Sequence, residues 1–162
     1  MFNKLSENFI LIKDKEGVHI KTLYSNEKPK EGDDLMYQAI YEYPSLIIEI
    51  KNPSKKAMMA AASSLNGIYY LLSLYNINQL PEEVQCIIMQ HDSTKIKEIE
   101  NPTEKVQICA LEEDYRNILY IKNPKRKLQA LAISIDHYAY QFIKNPDRAI
   151  RKYIKRTRKR MI

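Results

Sequence analysis

The chain has few glycines, few cysteines and no tryptophan, and these shortages exclude several kinds of fold and site. Three glycines among 162 residues are too few for a sandwich of many strands joined by glycine turns, or for a glycine-rich phosphate loop. The two cysteines, Cys86 and Cys109, lie in apolar helical runs without CxxC spacing. We therefore expect reduced thiols in the core rather than a disulfide.

Long apolar runs are also missing from the sequence. The longest mainly apolar stretch, residues 68–75, is too short to cross a bilayer. Near the start of the chain, only residues 9–12 form an unbroken apolar run, which is too short for the core of a secretory signal. These observations predict a soluble, cytoplasmic protein that has no membrane partner.

The common catalytic and metal-binding motifs are not found either. No HExxH, GxSxG or P-loop pattern occurs, and no metal-ligand spacing is seen. His91 and His137 each stand beside an aspartate, but adjacent residues of a helix point in different directions, so we interpret both as residues of a turn between helices. We expect a protein that is not an enzyme and has no cofactor, no metal and no evident small-molecule substrate.

Positive charge is concentrated in the last part of the chain. Residues 123–162 contain 12 Lys or Arg and 2 acidic residues, a net charge of +10, whereas residues 1–122 contain 14 and 18, a net charge of −4. Such asymmetry favours contact with a polyanion or with an acidic protein surface. The alternative is a solvated helix whose cations only aid solubility.

Internal repetition is the strongest signal in the sequence. The dipeptide Asn-Pro recurs every 22 residues at positions 101, 123 and 145, with an earlier copy at position 52. Aligning the chain on this dipeptide brings apolar residues into register in three columns. The columns are Val84, Val106, Leu128 and Ile150; Ile88, Ala110, Ala132 and Ile154; and Ile77, Ile99, Ile121 and Ile143. A further column of Gln85, Gln107 and Gln129 predicts hydrogen bonds to a neighbouring turn rather than ligand binding.

Each 22-residue unit has the pattern of a short helical hairpin. Asn before Pro is a favourable helix start, because the Asn side chain caps free amides and Pro has no N–H to satisfy. Asp92, Asp114 and Asp136, again 22 residues apart, are predicted to cap a second, shorter helix. The unit that begins at Asn52 is irregular, and its segment 63–75 predicts a longer second helix. Because one such hairpin cannot bury its apolar face alone, neighbouring units must stack, as in other solenoids.

The predicted fold class is mainly α, an α-solenoid of about five short helical hairpins with an N-terminal β-hairpin cap. Residues 1–32 form the cap and a linker, because residues 9–24 have the pattern of two strands joined by a turn, and residues 25–32 are polar and contain proline. The helical repeat array occupies residues 33–145. A basic C-terminal capping helix occupies residues 146–162.

One repeat carries a resemblance to a known group of sequences. Residues 101–124 contain NPTEKVQ, then Ala110 and Ile118, then YIKNP, and this pattern resembles short Asn-Pro helical repeats in uncharacterised proteins of bacteria, phages and some protists. The similarity covers residues 33–155 and is strongest over residues 77–155. The resemblance implies an all-helical array and favours a phage or mobile-element origin, but it implies no activity.

Basic residues cluster in the first helical turn after Pro124 and along the last helix. A helix dipole disfavours cations in a first turn, and a basic stripe at helical spacing is typical of phosphate contacts. The other face of the last helix, predicted to contact the preceding unit, consists of Ala149, Ile150, Tyr153 and Ile154. The predicted polyanion-binding residues are Lys125, Arg126, Lys127, Arg148, Arg151, Lys152, Lys155, Arg156, Arg158, Lys159 and Arg160.

Tyrosine is frequent, with 12 copies, which exceeds what a small core buries with satisfied hydroxyl groups. Some tyrosines are therefore expected on the surface, where they are typical of protein interfaces, although half-buried tyrosines at helix junctions are the alternative. The predicted protein-binding residues are Tyr37, Tyr41, Tyr43, Tyr69 and Tyr70.

Together these features predict a non-enzymatic helical-repeat binding or adaptor protein whose basic C-terminal end contacts nucleic acid or an acidic protein surface. The alternative is a phage or mobile-element inhibitor that blocks a host nucleic-acid-handling complex, in defence or replication, through protein contacts. Basic stripes bind both DNA and acidic proteins, so the sequence leaves the two functions open.

Overall fold

The computed structural model describes residues 2–4, 9–14, 17–22 and 33–158, with the side chains of residues 36–156. The described chain is mainly helical, as the sequence predicts, and residues 33–158 contain no strand. Contacts divide the chain into two compact units, residues 1–87 and residues 88–162. Among the described residues, no helix has both the length and the apolar character needed to cross a membrane.

The first unit begins with a three-stranded antiparallel sheet. Its strands are β1 (Phe2–Lys4), β2 (Phe9–Asp14) and β3 (Gly17–Thr22), in that spatial order. Leu11 of β2 lies opposite Asn3 on one side and Ile20 on the other. The sequence analysis gives no expectation for β1. The predicted linker, residues 25–32, lies outside the described residues.

Short helices make up the rest of the first unit, with α for α-helices and η for 3₁₀ helices. They are α1 (Asp33–Glu42), η1 (Pro44–Glu49), α2 (Lys55–Ala62), α3 (Leu65–Leu74), η2 (Ile77–Gln79) and the start of α4 (Glu82–His91). Helix α2 packs against α1 and α3, and η1 packs against α3. Helix α3 is the longer second helix predicted for the irregular repeat. The centre of this unit contains the fully buried Ala39, Ile40, Ile47, Ala61 and Leu71.

The second unit alternates α-helices with 3₁₀ helices. After the end of α4 come η3 (Ser93–Glu98), α5 (Glu104–Glu113), η4 (Tyr115–Leu119), α6 (Arg126–Ile135), η5 (His137–Phe142) and α7 (Arg148–Arg158). Helix α5 packs against η3, η4 and α6, and α6 packs in turn against η4, η5 and α7. Each of these repeats therefore buries its apolar face against the next one, as the 22-residue spacing predicts.

The apolar columns of the alignment form the core of both units, which confirms the predicted register. Every described member of the three columns is buried. The first column contributes Ala57, Val84, Val106, Leu128 and Ile150; the second contributes Ala39, Ala61, Ile88, Ala110, Ala132 and Ile154; the third contributes Ile77, Ile99, Ile121 and Ile143. Both cysteines are free, Cys86 buried in α4 and Cys109 half-buried in α5.

The repeated aspartates cap the second helix of each unit, as predicted. The side chains of Asp92, Asp114 and Asp136 accept hydrogen bonds from the backbone N–H two residues later, at N···O distances of 3.1, 2.9 and 2.7 Å. The capped elements η3, η4 and η5 are 3₁₀ rather than α-helices. Each has only five or six residues, a length at which the tighter 3₁₀ turn is common.

The predicted capping role of the Asn-Pro asparagines is wrong. In the repeat at position 101, the cap of α5 is Thr103, whose hydroxyl accepts from the Val106 N–H at 3.3 Å. In the repeat at position 52 the cap of α2 is Ser54. Each helix therefore starts after the residue that follows Pro. That residue has extended backbone angles, with ψ of 161° at Thr103, as a cap requires.

Candidate nucleic-acid interface

The start of α7 is held in place by side-chain hydrogen bonds. Asp147 accepts a hydrogen bond from the Ala149 N–H at its Oδ1 (2.8 Å), so it caps the helix. The Asp147 N–H donates to Oε1 of the buried Gln129 in α6 (2.9 Å). Gln129 also donates from Nε2 to the carbonyl oxygen of Pro124 (2.8 Å). These bonds fix the first turn of α7 to α6 and confirm the structural interpretation of the glutamine column.

The buried side of α7 is narrower than predicted. Ile150 and Ile154 are buried against the preceding repeat, but Ala149 and Tyr153 are exposed. The prediction that both residues lie on the packed face is therefore wrong. Residues i and i+4 lie one above the other on a helix, so contact along that single line covers Ile150 and Ile154 and leaves their neighbours at the surface.

The cations of α7 lie on its exposed side, and we call them the basic surface. It consists of Arg148, Arg151, Lys152, Lys155 and Arg156, all exposed. Helix α7 contains no Asp or Glu, and within the described part of the chain none of these five side chains forms an ion pair. The side chain of Arg158, together with Lys159 and Arg160, lies outside the described residues.

The predicted cations at the start of α6 have a partner within the protein. Nζ of Lys125 lies 3.4 Å from Glu104 Oε2 and Nζ of Lys127 lies 3.0 Å from Glu104 Oε1. Hydrogen bonds from Lys127 and then Lys125 hold the pKa of Glu104 below its usual value. These exposed ion pairs between repeats account for the two lysines. Arg126 is exposed and, among the described residues, has no ion pair.

The predicted protein-binding tyrosines all lie in the first unit and differ in exposure. Tyr41 and Tyr69 are 59% and 71% exposed, and Tyr37 is 39% exposed. Tyr43 and Tyr70 are half-buried. The rings of Tyr69 and Tyr70 meet edge to face, with centroids 5.8 Å apart, so part of Tyr70 is covered by its neighbour.

The histidines beside the capping aspartates have structural surroundings. The His137 ring lies 5.7 Å from the Tyr140 ring, between centroids, and the neighbouring Asp136 carboxylate is engaged by the Tyr138 N–H. His91 is exposed at the end of α4. Within the described ranges, no group of three or more His, Cys, Asp or Glu is arranged to hold a metal ion.

The sequence analysis did not identify a cleft in the second unit. Its volume is about 460 Å³, and its lining includes Lys97, Lys122, Lys144, Tyr120 and Asn123. Lys122 and Lys144 occupy the same column, one residue before successive Asn-Pro dipeptides. That repetition was visible in the sequence, but Lys97 comes from a different position of its repeat, so alignment alone does not bring the three lysines together.

Comparisons with known proteins add no assignment to these surfaces. No protein-family model, no curated protein and no solved structure matches the chain. The interpretation of the interface therefore rests on the side chains themselves.

Proposed function

We propose that the protein is a non-enzymatic helical-repeat binding protein whose basic surface on α7 contacts the phosphates of a nucleic acid. The observation that carries this proposal is the set of exposed cations on a helix without acidic residues. Binding to nucleic acid is driven by the release of counterions as cations neutralise phosphates. Cations that have no ion pair within the protein are best able to do this, and the basic surface consists of such cations.

The cost of the basic surface to folding supports the same proposal. Arg148 and Arg151 lie in the first turn of α7, where the helix dipole makes a cation unfavourable by roughly 0.3–1 kcal/mol. Asp147, at the cap position, offsets part of this cost. A sequence selected for helix stability alone would carry acidic residues in this turn. An anionic ligand gives a reason for the arginines.

We also propose that the repeats of residues 33–145 stack as an α-solenoid of about five hairpins, with the N-terminal β-hairpin closing the first of them. The support is the shared register of buried columns throughout residues 39–154. A cytoplasmic location agrees with the free Cys86 and Cys109, because thiols stay reduced in that compartment.

The proposal is tested by removing charge from the basic surface. Lys152, Lys155 and Arg156 are changed together to Gln, and the affinity for duplex DNA is measured over a range of salt concentrations by fluorescence anisotropy. Because the variant neutralises three fewer phosphates, the slope of log affinity against log salt should become shallower by about 2–3. The melting temperature should change little, because the three side chains are exposed.

A matched control separates this surface from the net charge of the protein. Lys51, Lys56 and Lys105 are also exposed, and changing them to Gln alters the total charge by the same amount. The control variant should keep most of the affinity and the original salt slope. Equal weakening in the two variants would contradict the proposal, because it would show that only total charge matters.

A second function, inhibition of a host nucleic-acid-handling complex through protein contacts, is favoured by a different observation. Tyr41 and Tyr69 expose most of their surface, and exposed tyrosines are enriched at protein interfaces. A pull-down from host extract with and without nuclease distinguishes the two functions. One dominant protein that stays bound after nuclease treatment, and is lost on Tyr69→Ala substitution, supports the inhibitor; loss of all partners with nuclease supports nucleic-acid binding.

A further inference from the structure

The cleft of the second unit has a lining that the basic surface does not explain. It lies along residues 118–124, between Lys97 of η3 and Lys144–Asn145 before α7. Its volume of about 460 Å³ falls within the range of small-molecule sites. None of its lining residues belongs to α7. Any ligand of this cleft is therefore recognised by residues other than those of the basic surface.

The charge of the cleft has one sign. Lys97, Lys122 and Lys144 contribute to its lining, and no Asp or Glu does. Across the described residues, none of these three lysines has an ion pair. Three cations in one concave site concentrate positive potential and repel one another. A ligand with several negative charges on one group, such as phosphates, relieves this repulsion.

The uncharged part of the lining is suited to a planar ring with polar edges. Tyr120 is 46% exposed, so much of its surface is open to a ligand. Aromatic side chains bind nucleobases by stacking. Asn123 and Asn145 also line the cleft, and a primary amide both donates and accepts hydrogen bonds, as base edges require.

The backbone of Asn123 is also unusual. Its φ is 50°, and among the described residues it is the one non-glycine position with positive φ. Asn is among the residues that tolerate the left-handed region best, but the conformation still carries a cost. Strained positions of this kind concentrate at ligand sites, which agrees with its place in the lining of the cleft.

The adjoining cleft limits the length of the ligand. It has a volume of about 310 Å³, shares Lys97 and Lys122 with the first cleft, and adds Glu98 and Glu100 to its lining. A long polyanion that ran through both clefts would meet these two carboxylates. The favourable region for phosphates is therefore confined to the three lysines.

We infer that this cleft binds a nucleoside phosphate, with Lys97, Lys122 and Lys144 holding the phosphates and Tyr120 stacking on the base. The amides of Asn123 and Asn145 are placed to contact the edge of the base. Neither a free nucleotide nor an unpaired nucleotide of a single strand is excluded by this chemistry, because both present a base and a phosphate. The inference does not depend on the proposed function of α7.

Calorimetric titration at low salt tests the inference with ATP, ADP, AMP, adenosine and inorganic pyrophosphate as probes. Affinity should rise from AMP to ATP, and adenosine should not bind detectably. Changing Lys97, Lys122 and Lys144 together to Gln should weaken ATP binding by about tenfold or more, because the variant cannot form charge-assisted hydrogen bonds to the phosphates. Changing the same residues to Arg keeps the charge and should restore most of the affinity.

Tyr120 provides the test of base recognition. Tyr120→Ala should weaken ATP binding by about tenfold without changing the affinity for pyrophosphate, whereas Tyr120→Phe keeps the ring and should bind ATP normally. The inference is overturned if ATP does not bind at millimolar concentration, if the Lys-to-Gln triple variant binds ATP like the wild type, or if Tyr120→Ala has no effect. Circular dichroism checks that each variant is folded.

Two further arms identify the source of the ligand and keep the two sites apart. Competition by a short single-stranded oligonucleotide against ATP indicates a strand as the natural ligand, and its absence indicates a free nucleotide; both results support the cleft. The variant with Lys152, Lys155 and Arg156 changed to Gln should bind ATP normally. Loss of ATP binding in that variant alone would overturn the cleft and leave the proposal for α7 standing.

Discussion

At the residue scale, buried and half-buried polar side chains hold the ends of the helices together. Gln85 donates from Nε2 to the carbonyl oxygens of Ile77 and Leu80 (2.9 and 3.1 Å). Gln107 donates to the carbonyl oxygen of Pro102 at 2.7 Å. Gln129 repeats this bond and also receives the Asp147 N–H. The column of glutamines thus satisfies backbone groups that the turns leave unpaired.

Replacing Gln129 by Met should therefore cost more than a surface substitution. Met has a similar size but leaves the Pro124 carbonyl and the Asp147 N–H without their partner, so the free energy of unfolding should fall by about 2–3 kcal/mol. Urea denaturation measures the change. The control is Gln141→Met at an exposed position of η5, which should alter stability by less than about 0.5 kcal/mol. Equal effects of the two substitutions would contradict the role given to Gln129.

Asp114 gives a pH-dependent prediction. Its pKa is held below the ordinary value mainly by the hydrogen bond from the Arg116 side chain, with burial opposing the shift. Because the folded pKa lies below the unfolded value of about 3.9, the carboxylate stabilises the fold above that pH and loses its contribution as the pH falls through the folded pKa.

Comparison of the wild type with Asp114→Asn tests this sign. Asn keeps an oxygen that can accept from the Arg116 N–H but lacks the charge. Since Arg116 is largely exposed, the variant should be less stable at pH 7 by under about 1 kcal/mol. The difference in unfolding free energy should shrink toward pH 2. A difference that stays constant between these pH values would show that the charge of Asp114 plays no part.

At the scale of the element, the small residues of the second column set how closely the repeats pack. Ala110 of α5 is fully buried, as is Ala132 of α6, and α5 packs against α6. The carbonyl oxygen of Ala110 also accepts from Nδ2 of the buried Asn117 at 2.9 Å. A larger or charged side chain at position 110 would disturb both contacts.

Ala110→Arg should therefore destabilise the second unit strongly. An unpaired cation in this position costs on the order of 3–5 kcal/mol, enough to lower the melting temperature sharply or to unfold the protein. Glu112→Arg, at an exposed position of the same helix, is the control and should melt near the wild-type temperature. An unchanged melting curve for Ala110→Arg would mean that the register of the column is wrong.

The elements also show which parts of the fold the sequence predicts. Apolar columns repeat with the period of the unit, so burial of residues such as Val106 and Ile121 follows directly from alignment. The type of the second helix does not follow, because five or six residues with one capping aspartate suit both helix types. The cap after Asn-Pro was missed because Asn and the residues Ser54 and Thr103 that follow Pro are all good caps.

The candidate site was predictable only in part, for a physical reason. The basic stripe of α7 follows from helical spacing within one segment. The ion pairs of Lys125 and Lys127 with Glu104, and the cleft beside Tyr120, join residues of neighbouring repeats. Such contacts depend on how the turns are placed, which the spacing of one repeat does not determine.

At the scale of the whole molecule, charge is separated along the chain. Residues 123–162 carry +10 and the remaining residues carry −4, within a total of +6. In the described chain, ion pairs engage Lys55, Lys125 and Lys127 with glutamates, whereas the cations of α7 have no such partner among the described residues. A cationic region of this kind attracts polyanions from a distance and orients their approach.

The measurement that tests nucleic-acid binding most directly is titration of the purified wild-type protein with labelled duplex and single-stranded oligonucleotides. Binding should be detectable at about 50 mM salt and should weaken steeply by about 200 mM, with little preference for sequence. This result is expected because the basic surface binds phosphates, which every sequence presents alike. No detectable binding to either oligonucleotide at the lower salt concentration would contradict the proposed function and favour docking on a protein.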